Sequence, residues 1–325
     1  MRNTCVAAIS AVVLLVTQAA AQEQTVKMAT IAPSLSQALV MSTFANIVTE
    51  KLDDVTVEVS TGGAATVHAL EVGRGNGDLA MITPIMYQLM TKGERMYKKQ
   101  PDAPEASQNV RLLTWFPGGP FHFAVRGDSD IKVLDDLVGA SAFMGPLGGG
   151  AYNTATGWVS ATTGLEPEKN YKVIKASWQT GFQAFLDGKI DVYAVGCIDP
   201  CPQFIQFAET ETVRFLSPED AEGESVTKFL GKYRTIKEIP TGIYKNQVDD
   251  VPAVTQSTFY GIAVRADMDD ELVYQMTKAF WDNIGGITSK APWAEALSLE
   301  AAAVDHGVIE LHPGAARYFK EAGAM

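Results

Sequence analysis

The run Ser141-Ala142-Phe143-Met144-Gly145-Pro146-Leu147-Gly148-Gly149-Gly150-Ala151-Tyr152 decides the fold. An apolar stretch from Leu137 to Phe143 runs into a glycine loop, and a helical pattern follows from about Tyr152. Glycine at such a junction frees backbone N–H groups to face a ligand, and the following helix N-terminus adds positive partial charge. The same junction occurs earlier, where the alternating strand Val55 to Ser60 breaks at Thr61-Gly62-Gly63 before the helical stretch Ala64 to Val72. Two such loops in successive strand–helix units place an anion or zwitterion site between two lobes. Each loop alone would read as a tight turn.

Outward from these loops the chain repeats strand, loop and helix, which argues for parallel sheets of the α/β class. Strands are expected at Thr25 to Thr30, Gly77 to Ile82, Arg111 to Trp115, Phe121 to Arg126, Tyr171 to Lys175, Ile190 to Val195 and Phe259 to Val264. Helices are expected from Gln37 to Leu52, Thr180 to Leu186 and Asp269 to about Ile284. The polar segment Glu94 to Gln108, with two prolines, reads as an exposed excursion.

The 325 residues carry a net charge of −12 and are 46% hydrophobic, an ordinary globular balance. That charge argues against nucleic-acid binding, which needs a basic face. It also means that a bound anion must be held by local donors against the global field. Arg2, the apolar run Val6 to Val16 and Ala19-Ala20-Ala21 read as an export signal cut after Ala21, too short for a membrane span. Export makes a Cys197–Cys201 disulfide the expectation, with two buried free thiols as the alternative. No metal or cofactor motif is present. Gly148 onward lacks the G-x-G-x-x-G spacing, Gly188-Lys189 is followed by Ile190, and His68, His122, His306 and His312 are scattered. There is no G-x-S-x-G elbow either, so an enzyme is the weaker reading. Of the histidines only His68 and His122 stand out as more than structural. Of the aromatics, Tyr152 and Trp178 are the pocket candidates; Trp115, Phe116, Trp158 and Tyr260 read mostly as core.

In order and spacing, several runs resemble the TAXI family, the solute-binding proteins of tripartite ATP-independent periplasmic (TRAP) transporters. They are Thr61-Gly62-Gly63, Gly77-Asp78-Leu79-Ala80, Asp136-Leu137-Val138-Gly139 with Gly145 to Gly150, Gln183 to Asp191, Ile239-Pro240-Thr241-Gly242-Ile243-Tyr244, Asp250-Val251-Pro252 and His312 to Phe319. The resemblance implies a type II-like periplasmic-binding-protein fold of two α/β lobes joined by crossover strands. Lobe 1 would comprise 22–123 plus 259–325 and lobe 2 124–258, with crossings near Phe121–Ala124 and Phe259–Gly261. It implies a monomer that binds a small carboxylate or amino acid, without a cofactor, and delivers it to TRAP permease subunits in the membrane. A sensory subunit presenting ligand to a receptor is the alternative. The family's site regions fall on Thr30, Ser34, Ser36, Thr61, Gly62, Gly63, Thr66, Thr83 and Tyr87 in the first lobe. In the second they fall on Gly148, Gly149, Gly150, Tyr152, Asn153, Trp178, Cys197 and Asp199. The first loop, Ile31 to Gln37, and the end of the second, Ala151-Tyr152, depart from the family pattern. Both departures favour a larger or more apolar carboxylate.

Overall fold

The computed structural model describes residues 23–288 and 291–325; the leader expected at residues 1–21 lies outside them. Ten strands form one curled sheet of order β2-β1-β3-β10-β4-β7-β5-β6, with β8 paired to β4 and β9 to β10. Strands β1 (Gln24–Thr30), β2 (Val55–Thr61) and β3 (Leu79–Ile82) are mutually parallel about β1. Strands β5 (Ser141–Phe143), β6 (Lys172–Val173) and β7 (Val192–Gly196) repeat this arrangement about β5. These two parallel trios are the centres of two α/β lobes. Between them run the long strands β4 (Val110–Arg126) and β10 (Ala253–Arg265), with β8 (Val213–Phe215) and β9 (Arg234–Ile239) completing lobe 2.

Side-chain periodicity explains the layers. In β1 the inward positions Val26, Met28 and Thr30 are buried while Lys27 is exposed, a strand with one face on the core. β3, parallel to β1 and antiparallel to β10, is buried along its whole length, as expected of a central strand covered on both sides. Helices α1 (Ser36–Lys51), α2 (Ala65–Gly73) and α3 (Pro84–Lys92) follow β1, β2 and β3. The start of α3 follows from local chemistry. Thr83 Oγ1 accepts from the Met86 N–H, Pro84 occupies the first turn, and Gly93 closes the helix in the left-handed conformation.

The segment expected as an exposed excursion is more ordered than its polarity suggests. It forms a 3₁₀ turn at Arg95–Tyr97 and the helix α4 (Ala103–Ser107). Tyr97, Ala103 and Ala106 are buried, and the Tyr97 hydroxyl donates to Thr66 O at 3.1 Å. The charged residues occupy the outer face while one aromatic and two alanines anchor the inner one. In lobe 2, α5 (Gly150–Thr163) follows β5, α6 (Trp178–Leu186) follows β6, and α7 (Pro202–Phe207) follows β7. The helix α8 (Glu224–Leu230) packs on α5. After β10 the chain returns to lobe 1 through α9 (Asp270–Asn283), started by the Asp269 carboxylate accepting from the Leu272 N–H.

The two strands expected at Arg111–Trp115 and Phe121–Arg126 are one. The first half of β4 pairs with β10; the second half pairs with β7 and β8. The exchange of partners falls at Gly118-Gly119-Pro120, just ahead of the Phe121–Ala124 stretch suggested by the sequence. A Cβ on Gly118 would lie 2.3 Å from the Tyr260 ring, and one on Gly119 would lie 2.0 Å from Cys197 O. Gly119 also has φ +71°. Only glycine lets one strand pass this closely under both neighbours. β10 likewise extends beyond the expected Phe259–Val264, because its first half, Ala253 to Thr258, pairs with β9 in lobe 2.

Candidate functional site

In a parallel α/β unit each helix begins where a strand ends, so helix N-termini gather along one edge of the sheet. Here both lobes turn that edge toward the same cavity of about 440 Å³. Its walls include first-turn or capping residues of five helices: Leu35 and Gln37 of α1, Ala64 and Ala65 of α2, Thr83 and Ile85 of α3, Gly149 and Gly150 of α5, and Ser177 and Trp178 of α6. The caps of α1, α2 and α5 make no side-chain hydrogen bond, so their first N–H groups have no side-chain acceptor. Each terminus carries roughly half a positive charge. The fold therefore builds a locally positive cleft in a chain whose net charge is −12.

Of the positions singled out from sequence, Thr61, Gly62, Gly63, Thr83, Gly149, Gly150, Asn153 and Trp178 line this cavity. Trp178 stands edge-on to Phe143, with ring centroids 5.4 Å apart. Gly150 faces Met86 across the cleft; a Cβ there would lie 3.8 Å from the Met86 sulfur. The remaining positions do not line it. Thr30 is buried at the end of β1, and Thr66 lends its carbonyl to Tyr97. The Tyr87 hydroxyl donates to Ser107 O, which turns it away from the cleft. Gly148 turns the loop with φ +77°, and Tyr152 packs against the lobe 2 core.

Ser34, Ser36, Cys197 and Asp199 serve the junction between lobes instead. Cys197 and Cys201 form a disulfide, with Cα atoms 5.5 Å apart, and both are fully buried. The loop they close is tied to α1, since Ser36 Oγ accepts from the Ile198 N–H at 2.8 Å, and Gln203 Nε2 reaches Ser34 Oγ at 3.5 Å. Asp199 is held by His122 and Tyr244. Its Oδ1 lies 2.8 Å from His122 Nε2 and accepts from the Tyr244 hydroxyl at 3.1 Å, while that hydroxyl accepts from the Cys201 N–H. His122 is thus part of the junction. His68 sits in a separate depression on lobe 1, its imidazole pushed below its ordinary value by burial.

Gln37, Tyr260 and Arg234 are among the lining groups that escaped the sequence reading. Gln37 donates from Nε2 to both Gly118 O and Gly196 O, joining α1 to the two strands at the partner exchange. Tyr260, expected as core, contributes to the cavity wall, and burial pushes its hydroxyl up to about 12, so it stays a donor. Arg234, at the start of β9, lines the cavity with no carboxylate partner among the described residues. Its guanidinium stacks over Phe229 at 4.2 Å, Nη1 donates to Phe229 O at 2.7 Å, and the buried Nε has no acceptor. Burial, aided by the charge of Arg95, lowers it to about 10, still protonated at neutral pH. No local motif marks Arg234; it reaches the cleft because β9 pairs with β10 across the junction.

Against this geometry stand the solved structures that resemble the chain. The alkanesulfonate-binding protein SsuA from Xanthomonas axonopodis pv. citri, bound to MOPS, is 14% identical, with TM-score 0.48 over 93% of this chain and 85% of that one. A TRAP periplasmic solute binding protein from Chromohalobacter salexigens with bound D-glucuronate is 15% identical, with TM-score 0.44 over 91% of each chain. The substrate binding protein of an amino acid ABC transporter is 13% identical, with TM-score 0.44 over 84% of this chain and 97% of that one. The match of the NMT1-like family is of another order, running over residues 38–323 and so through both lobes, and the chain belongs to that family.

Proposed function

We propose that the protein is a periplasmic solute-binding protein of the TAXI type, which captures a small organic anion between its lobes and delivers it to a TRAP-type membrane permease. The observation that carries this reading is the convergence, on one cavity walled by both lobes, of five helix N-termini and of Arg234, which has no carboxylate partner among the described residues. A ligand touching both walls stabilises the closed arrangement by its differential affinity for it. In this reading the chain is exported and cut after Ala21, works as a monomer, and divides into lobe 1 (22–123 plus 259–325) and lobe 2 (124–258). The lining positions from the sequence, with Gln37, Arg234 and Tyr260, are its binding residues.

Native mass spectrometry of the purified protein tests the capture step: an adduct of a small organic acid is expected. Small-angle scattering with that acid should show compaction, and an unchanged radius at saturation would sink the closure. Delivery is tested with the membrane subunits in proteoliposomes. Uptake of the acid is expected to need an ion gradient and this protein, and to proceed without ATP.

A further inference from the structure

We infer that the site selects singly charged organic oxyanions with an apolar body and rejects zwitterionic amino acids. This rests on the solute-binding reading above and narrows its ligand class. The two walls of the cavity differ in chemistry. Lobe 1 supplies mostly branched and thioether side chains, among them Met81, Ile85, Met86 and Leu89, with Thr61 and Thr83 between them. Lobe 2 and the junction supply Asn153, Thr154, Ser177, Gln179, Thr258 and Arg234. Arg234 is the one charged side chain among the described lining residues, and none of those residues is acidic.

An anionic head is therefore matched once, by a guanidinium whose fork geometry suits carboxylate and sulfonate oxygens alike. The neutral Tyr260 hydroxyl and the second N–H of the Asn153 amide, whose first serves Gly149 O, add donors in the same cavity, while the Thr258 hydroxyl is spent on Tyr233 O. A ligand ammonium would have to lose its water among helix N-termini and a guanidinium, with no carboxylate to receive it. A second carboxylate would find no second cationic side chain among the described lining residues, only helix N-termini set among aliphatics and methionines. Apolar matter meets no such penalty: methionine side chains adapt to varied shapes. The cavity has room for about fifteen waters' share of liquid volume, more than a short acid fills.

Isothermal titration of the ligand-free protein with octanoate, 1-octanesulfonate, succinate and L-glutamate tests this. Octanoate or octanesulfonate is expected to bind at least about 100-fold more tightly than glutamate and succinate. Whichever of the two binds more tightly identifies the head group as carboxylate or sulfonate. Arg234→Gln should remove at least about 90% of that affinity, and Arg234→Lys should restore part of it without the fork. Glutamate binding as tightly as octanoate overturns the inference and leaves solute capture standing. Should none of the four bind, the adduct in the native mass spectrum decides. An apolar monoanion supports the inference, a zwitterion or polyol overturns it, and a protein without any small-molecule adduct overturns the solute-binding reading as well.

Discussion

Lobe 1 and lobe 2 share a plan, the parallel trios β2-β1-β3 and β6-β5-β7, each sending helix N-termini into the cleft. They differ in what their side chains add. Lobe 1 lines the cleft mostly with methionines and aliphatics, with Gln37, Thr61 and Thr83 among them, whereas lobe 2 adds amides, hydroxyls, Trp178 and Arg234. The backbone sets the sign of the field in both, because helix dipoles come with the topology. Side chains then decide which ligand benefits from that field. A fold held in common by two halves thus supplies anion attraction twice and selectivity only by their contrast.

The largest expected effect comes from erasing that contrast. Met96 stands on the lobe 1 side of the cavity, next to Arg95, and is only partly buried. Met96→Glu places a carboxylate opposite Arg234, where it competes with the ligand's own anion. Affinity for the bound acid should fall about 100-fold, or about 3 kcal/mol, with the fold intact by circular dichroism. Unchanged affinity in isothermal titration would mean that the lobe 1 wall does not face the anion.

Local chemistry was the legible part of this contrast. Thr61-Gly62-Gly63 and Gly145 to Gly150 announce themselves because turn residues are dictated within a few positions. Gln183 to Asp191 and the helix from Asp269 follow for the same reason. What the residues could not show is pairing at a distance. Arg234 lies in a strand with five exposed or half-exposed residues before Ile239, which reads as a loop until β10 is beside it. Asp199, placed by sequence in the ligand site, meets His122 and Tyr244, 77 and 45 residues away. Tyr260 read as core because an aromatic in a strand is usually buried, whereas it is half-buried along the cavity wall.

The second effect concerns the junction where the lobes meet. The Cys197–Cys201 disulfide belongs to lobe 2, and its loop holds α1 of lobe 1 through the Ile198 N–H. A ring this small still removes unfolded-state entropy equivalent to about 2 kcal/mol in the chain-entropy account. Replacing both cysteines by serine should lower Tm by a few degrees. Alkylation under denaturing, non-reducing conditions should add no alkyl group to either residue; two added groups would show that the bond is absent in the purified protein.

Next is the loop before α5. Gly149 has φ −83° and ψ 161°, ordinary values for any residue at a helix cap. A Cβ there would sit 3.1 Å from Pro146 O, so the loop must give slightly. Gly149→Val should weaken ligand binding by about threefold to tenfold through the shift of the first-turn N–H groups. An equal loss for Gly63→Ala on the lobe 1 side, where φ is +75° and a Cβ would meet His68 Nε2 at 2.8 Å, would show that both helix ends hold the anion. A loss at Gly149 alone would assign the head group to lobe 2.

The smallest effect separates the lobes by pH. His68, His306 and His312 all belong to lobe 1, and burial lowers each imidazole below its ordinary value. A base whose folded-state value is lowered binds fewer protons when folded than when unfolded. Stability is therefore greatest above the unfolded value of about 6.5 and is lost as pH falls from there toward the folded values. His312 gives this a structural cause: its Nδ1 accepts from the Gly314 N–H at 3.3 Å and caps the helix Pro313–Glu321, which packs on α9. Protonating Nδ1 removes that acceptor and places a charge in a fully buried position. Thermal unfolding followed between pH 7.5 and 5 should show Tm falling on the acid side. His312→Asn keeps an acceptor at the cap and removes one of the three proton sites, so the fall should become shallower while Tm at pH 7.5 changes little. A variant whose acid-side slope equals that of the wild type would show that the His312 cap does not carry the pH dependence of lobe 1.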